Sequence, residues 1–484
     1  MPRQGISHVG QLVLTDIQDK IFRRDDMSLR PIMLTRPPVE IMLDDGFWDE
    51  LIEGGFRDVC VSWMAFLKEV EHGESLPTRE EARPRVLSFF MDKGDQFEYV
   101  PIIKPDTSLY DGLTLYPPSR SDEFDSIFRE LRDAFQRAKK KGINLYLFDD
   151  KSYFEISGYP AGPEGTRGFS CWNDPQVAEY LVARTRDYVN QLPMFSGIVL
   201  DGPDYKWEIA PGERDDLFAE RCFCDHCQNA ARLMGLDLMK LVDTLAEFKL
   251  EMQQLTDEKV EGFLLSTRGF LGATDWWLSH PELLDLMRFR YAAIENHLIR
   301  EYEGIKKHLP EFTVMVSSRT PSYSALTGHA LQRRNAYSDY QLPKLYLWAG
   351  NQPGFRYTVN NYANTLSEWN PSLSRKNVVG LTERIFGIEF PADYPVEKFD
   401  DPAPLSFYEQ IAGDEMKKMI HLIGDVDKLI PFIALEHFGG PQIQPREVRD
   451  LLLTLENSGI NRYIFFHYGV ITEDVWSVLT EFSK

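Results

Sequence analysis

The sequence is poor in cysteine, in basic charge and in long hydrophobic runs. Only five of its 484 residues are cysteine, too few for a disulfide framework, which favours a reducing compartment. No stretch approaches 18 uncharged apolar residues and the start lacks a secretory pattern, so we expect a cytoplasmic protein without a membrane partner. Lys and Arg total 53 against 75 Asp and Glu. The resulting net charge of -22 argues against nucleic acid as a partner.

Several motifs of cofactor binding and catalysis are absent as well. No GxGxxG or GxxxxGK[ST] follows a predicted strand, which argues against the phosphate-binding loops of nucleotide-binding folds. There is no GxSxG for a serine nucleophile and no HExxH for a catalytic zinc ion. We therefore expect catalysis, if present, to proceed without a cofactor.

Short apolar runs alternate with amphipathic stretches along the chain, which is typical of β-α units that form a parallel sheet. Several units share one order, in which a helix ends, a Gly or Pro follows, and an apolar strand finishes in polar residues. Examples are KKKGINLYLFDD, PMFSGIVLDGPD and NSGINRYIFFHYG. Strands this apolar are buried on both faces. We predict an α/β fold, a (β/α)8 TIM barrel with long loop insertions, in preference to a doubly wound sheet.

The pattern predicts nine strands where a barrel needs eight. They cover residues 39–43, 58–63, 143–148, 196–200, 313–317, 344–348, 377–381, 429–435 and 461–466. We expect residues 1–38 to form an N-terminal segment and residues 39–484 one elaborated barrel, with excursions at 69–119 and 203–280. No repeat or linker divides the chain further.

Acidic residues follow several predicted strands, where the loops of a barrel converge on its axis. Asp201 comes directly after GIVL, Glu436 after FIAL and Glu383 shortly after VVGL. Each also has a structural explanation, as a turn cap, a buried salt bridge or a surface ion pair respectively. Two carboxylates in one cavity repel, so that one pKa rises and the pair can supply both an acid and a base or nucleophile. These three residues are the catalytic candidates.

Other strand-end residues would suit a ligand rich in hydroxyl groups better than a phosphate. Aromatic rings stack on the apolar faces of such ligands, and carboxylates and imidazoles bind hydroxyls. Taken singly, each of these residues is as well explained by packing. The candidates for substrate binding are Asp149, Asp150, Asp204, Tyr205, Trp207, Trp348, His437, His467 and Trp63.

Three of the five cysteines lie in the segment CFCDHC, as Cys222, Cys224 and Cys227. Thiolates at this spacing are good zinc ligands, and Cys171 in FSCWND is the best candidate for a fourth. Unbound thiols and redox chemistry are the alternatives. A zinc ion here would be structural, since a thiolate-rich site usually closes around its metal.

The strand-end acids, the aromatic residues and the cysteine-rich excursion together resemble the TIM-barrel glycoside hydrolases. The CFCDHC segment is similar to the zinc cluster that some β-galactosidases carry in a barrel loop. The resemblance covers roughly residues 39–484 as architecture, without a signature of one family. Many retaining β-glycosidases have an Asn-Glu pair after the fourth strand. Asp201 in GIVLDGPD is more similar to the aspartate nucleophile of α-glycosidase barrels, but VMVSSRT and LYLWAGN lack the acid that those enzymes place after strand five or six.

The resemblance implies a glycoside hydrolase that acts on an oligosaccharide or glycoconjugate. The pairing of Asp201 with Glu436, with Glu383 in reserve, is inferred from their positions and is not carried over from a family. Two alternatives remain open: a lyase or transglycosylase that acts on sugars, and a catalytically silent carbohydrate-binding barrel. The expected partner is a carbohydrate. The sequence leaves open the sugar, its anomer, retention or inversion, exo or endo action, and homo-oligomer formation.

Overall fold

The computed structural model describes residues 29–35, 39–62, 64–68, 97–115, 122–150, 171–209, 217–218, 222, 224–347, 354–394, 404–435, 443–466 and 471–484. The strands in these ranges are β1 (Arg30–Thr35), β2 (Asp58–Ser62), β3 (Met64–Lys68), β4 (Phe97–Pro101), β5 (Asn144–Asp150), β6 (Phe195–Asp201), β7 (Thr313–Ser318), β8 (Tyr340–Leu345), β9 (Phe432–Ala434) and β10 (Arg462–Phe466).

Eight of these strands close into a parallel barrel in the order β1-β10-β9-β8-β7-β6-β5-β2. This arrangement confirms the predicted (β/α)8 barrel. The remaining two, β3 and β4, pair antiparallel in a separate ribbon. The ribbon leaves the barrel after β2, and its second strand lies in the predicted excursion at residues 69–119.

Helices connect the strands on the outside of the barrel. Asp174 caps one of them by accepting a hydrogen bond from the backbone amide of Gln176, and Pro175 occupies the first turn. None of the helices in the described ranges is long and apolar enough to cross a membrane. Those helices are Val39–Leu43, Asp45–Glu53, Asp125–Lys140, Pro175–Gln191, Asp225–Leu233, Leu238–Met252, Asp257–Ser266, Phe270–Ser279, Pro281–His308, Pro321–Ser324, Phe355–Trp369, Arg375–Phe386, Leu405–Ile423, Pro445–Asn457 and Glu473–Ser483.

Two of the nine predicted strands are wrong. Residues 39–43 form a helix, and residues 377–381 lie inside the helix Arg375–Phe386. The buried side chains of the second segment recur at helical spacing, as in Val378, Leu381 and Thr382. Four or five apolar residues are too few to separate this spacing from the alternation of a strand. The first barrel strand is β1, which pairs with β10 and β2 and falls in residues 1–38.

Side chains of the barrel strands alternate between the barrel interior and the helix layer. On β6, Val199 belongs to the interior cluster, whereas Ile198 and Leu200 pack against the helices. The same alternation directs Asp201 inward. The interior cluster consists of Ile32, Leu34, Cys60, Tyr146, Phe148, Val199, Met315, Leu342, Tyr346, Ile430, Phe432, Ala434 and Ile464.

Gly197 permits the close approach of β6 to its neighbours. A Cβ atom at this position would lie 2.5 Å from the Thr313 carbonyl oxygen and 2.9 Å from the Tyr146 ring. Because a strand backbone cannot yield as a flexible side chain can, we expect Gly197→Ala to lower the free energy of unfolding by about 1–3 kcal/mol. Urea denaturation measures the change.

Gly413→Ala is the matched control, since a Cβ there would meet nothing within 4 Å in the helix Leu405–Ile423. We expect the control to be neutral or to stabilise by up to about 1 kcal/mol. Equal stability of Gly197→Ala and the wild type would show that β6 does not approach β7 this closely at Gly197.

Candidate active site

Asp201 ends β6, which is the fourth barrel strand in chain order. Its Oδ1 accepts a hydrogen bond from the ammonium of Lys344 on β8 at 2.7 Å and another from the hydroxyl of Ser317 on β7. The side chain is 11% exposed. Inward positions on three adjacent strands therefore meet at the C-terminal edge of the barrel, where active sites of this fold lie.

Two cations hold Asp201 in its ionised form. Burial raises the pKa of Asp201, but the Lys344 ammonium and the Arg319 guanidinium outweigh burial and place the pKa below its ordinary value. Both close contacts fall on Oδ1. Within the described ranges, Oδ2 accepts no hydrogen bond. An ionised carboxylate with one oxygen available suits a nucleophile or an electrostatic stabiliser and not a proton donor.

Asp204 is fixed between the loops that follow β6 and β7. Its carboxylate lies 2.7 Å from an Arg319 guanidinium nitrogen and 2.6 Å from His329 Nε2, one contact on each oxygen. Burial raises the pKa of Asp204, yet Arg319 and His329 hold it well below its usual range. Because both oxygens are occupied, the geometry favours a structural role over the predicted contact with substrate.

His329 is neutral in this network. Burial and the neighbouring Arg334 lower its pKa to about 4, which outweighs the opposite effect of Asp204. A neutral imidazole has one N–H, and the contacts assign it to Nε2, which donates to Asp204. Nδ1 then accepts a hydrogen bond from the Arg334 guanidinium.

Tyr205 and Trp207 are core residues of the loop after β6. Trp207 is 1% exposed, its indole N–H donates to the Thr358 hydroxyl at 3.2 Å, and Arg319 lies 4.4 Å from its ring centroid. The Arg290 guanidinium lies 5.2 Å from the ring centroid of Tyr205, which is also buried. Rings with this little exposed surface leave no face on which a sugar could stack.

Asp149 does not face the barrel mouth. It follows the inward Phe148, so the alternation of β5 directs it toward the helix layer, where Arg184 pairs with it at 2.5 Å. Both side chains of this ion pair are buried. Asp150 lies opposite Asp201 in the β5–β6 register, and its side chain is outside the described set.

Glu383 is not a strand-end residue, because the predicted strand before it is a helix. It lies on Arg375–Phe386, and its Oε1 accepts a hydrogen bond from the Phe390 backbone amide at 2.8 Å. It lines a surface cavity of 640 Å³ together with Glu389 and Asp414. The structure thus removes the reason for placing Glu383 in a catalytic pair.

Five of the predicted site residues lie outside the described residues. They are Trp63, Trp348, Glu436, His437 and His467. Their roles remain predictions.

Sequence reasoning missed the cations of the site. Lys344 interrupts the apolar segment QLPKLYLW, and Arg319 follows the serines in MVSSRT. A lone lysine inside an apolar strand is a signal for a buried anion nearby, since a buried cation needs a partner. That signal would have paired Lys344 with one of the strand-end acids.

The four predicted metal ligands come together. The sulfur atoms of Cys171, Cys222, Cys224 and Cys227 all lie within 4.8 Å of one another. Cys171 Sγ is 3.3 Å from Cys224 Sγ and 3.4 Å from Cys227 Sγ. A tetrahedral zinc ion with Zn–S bonds of about 2.3 Å needs sulfur atoms about 3.8 Å apart. The donor set therefore fits a four-thiolate zinc site after small adjustments.

The cysteines join two loops on the same side of the barrel as Asp201. Cys171 precedes the helix after β5, and Cys224 and Cys227 stand at the start of Asp225–Leu233 in the excursion after β6. The Asn173 amide donates to Cys227 Sγ at 3.4 Å. The cluster therefore links the loops that follow β5 and β6, two neighbouring strands of the barrel.

The sequence matches no protein-family model and no curated protein. Among solved structures, the chain is similar to the PgaB (BpsB) glycoside hydrolase domain from Bordetella bronchiseptica, with 10% identity, coverage of 93% of this chain and 98% of that chain, and a TM-score of 0.44. The chain is also similar to the catalytic domain of β-amylase from Paenibacillus polymyxa, with 9% identity, coverage of 94% of this chain and 97% of that chain, and a TM-score of 0.40. With a β-galactosidase from Halorubrum lacusprofundi it shares 12% identity, with coverage of 94% of this chain and 57% of that chain, and a TM-score of 0.44. The assignment of the barrel rests on the strand order of this chain and not on these likenesses.

Stability should depend on pH through His329. Its pKa of about 4 in the fold lies below the ordinary 6.5, so the unfolded chain takes up the proton first as pH falls. The free energy of unfolding of the wild type should therefore fall by about 2 kcal/mol between pH 6.5 and 4.5 because of this residue. His329→Gln keeps a donor for Asp204 but cannot titrate, so its free energy of unfolding should fall by about 2 kcal/mol less over the same range. Urea unfolding at the two pH values measures it.

The control is His421→Gln, which changes an exposed histidine and should keep the wild-type dependence on pH. If the free energy of unfolding of His329→Gln depends on pH as that of the wild type does, the assignment of a neutral, buried His329 is wrong.

Proposed function

We propose that this protein is a glycoside hydrolase that cleaves a glycosidic bond in an oligosaccharide or glycoconjugate. The observation that carries the proposal is the ionised Asp201 at the mouth of a closed barrel, paired with Lys344 at 2.7 Å. Most glycosidases use two carboxyl groups, of which one must be ionised and the other protonated. Asp201 has the environment of the ionised one.

Asp201 acts on the anomeric carbon of the sugar. Lys344 and Ser317 hold Oδ1, which orients the carboxylate and leaves Oδ2 to approach the carbon. The carboxylate either forms a covalent bond with that carbon or stabilises the positive charge that develops on it. Because the cations lower its pKa, Asp201 does not compete for the proton that the second carboxyl group must deliver.

Glu436 is the proton donor in this mechanism. On β9, Phe432 and Ala434 belong to the interior cluster, and Glu436 is the next residue of the same alternation in the sequence. Two strands, β7 and β8, separate β9 from β6, so a sugar in the mouth would lie between the two acids. Glu436 gives its proton to the departing oxygen as the glycosidic bond breaks. Water then attacks the anomeric carbon, releases Asp201 from any bond to that carbon, and gives a proton back to Glu436.

A catalytically silent carbohydrate-binding barrel is the second candidate. Both oxygens of Asp204 are occupied by Arg319 and His329, and Asp201 is itself in an ion pair. Contacts of this kind favour a structural role for both Asp201 and Asp204. Turnover separates the two candidates, since the silent barrel binds saccharide without cleaving it.

Asp201→Asn should abolish hydrolysis. We expect a fall in kcat/KM of roughly 10³-fold or more on any glycoside that the wild type cleaves, because the amide can neither attack nor carry charge. A panel of nitrophenyl glycosides and natural oligosaccharides identifies the substrate, and circular dichroism checks the fold. Asp201→Glu keeps the charge beside Lys344 but moves the oxygens, and we expect it to be strongly impaired too.

Glu383→Gln is the matched control, and it should keep activity within a factor of about two, since Glu383 lies on an outer helix. Near-normal hydrolysis by Asp201→Asn would contradict the proposal. So would calorimetric binding of saccharides to a wild type that cleaves nothing in the panel.

We also propose that Cys171, Cys222, Cys224 and Cys227 hold a structural zinc ion. The convergence of four sulfur atoms within 4.8 Å supports it. Four thiolates close the coordination shell and leave no position for water, so the ion would fix the two loops without taking part in hydrolysis.

Metal analysis tests the zinc site. Protein expressed with zinc should contain one zinc ion per chain, and Cys227→Ser should contain much less and melt at a lower temperature. Cys60→Ser serves as the control, because Cys60 lies in β2 and is not part of the cluster; its zinc content should be unchanged. A wild type without zinc, or full zinc in Cys227→Ser, would contradict the proposal.

A further inference from the structure

The helix Phe270–Ser279 exposes an unusual amount of apolar surface. None of its residues is buried, although its sequence is FLGATDWWLS. The exposed fractions are 84% for Phe270, 80% for Leu271, 37% for Trp277 and 68% for Leu278. These four side chains are the apolar stripe.

The apolar stripe occupies one side of the helix. Phe270 and Trp277, like Leu271 and Leu278, are seven residues apart, and residues at this spacing share a helix face. Trp276 takes the other side, where its ring lies 5.7 Å from Phe263 on the preceding helix and stacks on His280 at 4.3 Å. The helix is therefore anchored through Trp276, against which the ring of Trp277 also packs edge-on at 5.0 Å. Phe270, Leu271 and Leu278 face away from that contact.

The two helices of this hairpin are also fixed to the barrel. The Arg384 guanidinium on Arg375–Phe386 donates to the Thr267 carbonyl at 2.5 Å, in the turn between Asp257–Ser266 and Phe270–Ser279. Val260 of the first helix is buried in the main core. A rigid support of this kind presents the stripe with little further loss of entropy on binding.

The area of the stripe matches what a dimer needs. An aromatic side chain presents about 150–250 Å² when fully exposed and a leucine somewhat less, so the four at their exposed fractions together present roughly 500 Å². A soluble monomer seldom leaves a larger contiguous patch in water. Two such stripes would remove roughly 1,000 Å² from water, which is about the smallest area of a specific interface.

We infer that the apolar stripe is the surface through which two copies of this chain pair, helix against helix about a twofold axis. Because the middle of the stripe falls at residue 274, an antiparallel pairing about that point places Phe270 of one copy opposite Leu278 of the other and Leu271 opposite Trp277, each twice. A lipid surface fits less well, because residues 257–282 carry five acidic and two basic side chains and anionic membranes repel such a segment.

The self-association of the full-length chain tests this inference. Sedimentation velocity over a range of micromolar concentrations should show a reversible dimer for the wild type. Leu271→Asp and Leu278→Asp should each weaken the dimer by roughly tenfold or more, with unchanged circular dichroism. Leu453→Asp is the matched control at another exposed leucine, on Pro445–Asn457, and should dimerise as the wild type does.

A wild type that stays monomeric at every concentration overturns the inference. So does a monomeric wild type that floats with phosphatidylcholine vesicles, or an effect of Leu453→Asp equal to that of the stripe variants.

Discussion

The ion pair between Asp201 and Lys344 joins the fourth and sixth strands of the barrel inside its mouth. Neither charge could remain buried there alone, because removing one partner of a buried pair typically costs about 3–5 kcal/mol. The pair also determines the chemistry, since Lys344 and the nearby Arg319 keep Asp201 ionised against the effect of burial. With Ser317 on the strand between them, the three side chains define which oxygen of Asp201 faces the cavity.

A second layer of contacts holds the loops around this pair. Asp204 ties the loop after β6 to the loop after β7 through Arg319 and His329. Trp207 in the loop after β6 packs against Arg319 in the loop after β7 and adds a second link. The four cysteines join the loops after β5 and β6 in the same way. Among the described side chains, Asp201 thus faces the cavity, whereas Asp204, Tyr205 and Trp207 support the loops around it.

The alternation of short apolar runs with amphipathic stretches was sufficient to predict the barrel. The errors came from short segments. Residues 377–381 are apolar enough for a strand but too few to reveal their helical spacing, and that error placed Glu383 at the mouth. Asp149 and Asp150 are adjacent in sequence, and only the phase of β5 shows that Asp149 points outward. The partners of Asp201 come from β7 and β8, more than 100 residues away, so a single sequence could not pair them.

The most direct test is a crystal structure of the chain with a bound oligosaccharide. We predict a sugar in the barrel mouth whose anomeric carbon lies roughly 3–3.5 Å from Asp201 Oδ2, with Lys344 still on Oδ1 and a second carboxyl group on the opposite side of the glycosidic oxygen. A saccharide bound away from the mouth, or one whose glycosidic bond Asp201 cannot reach, would contradict the account.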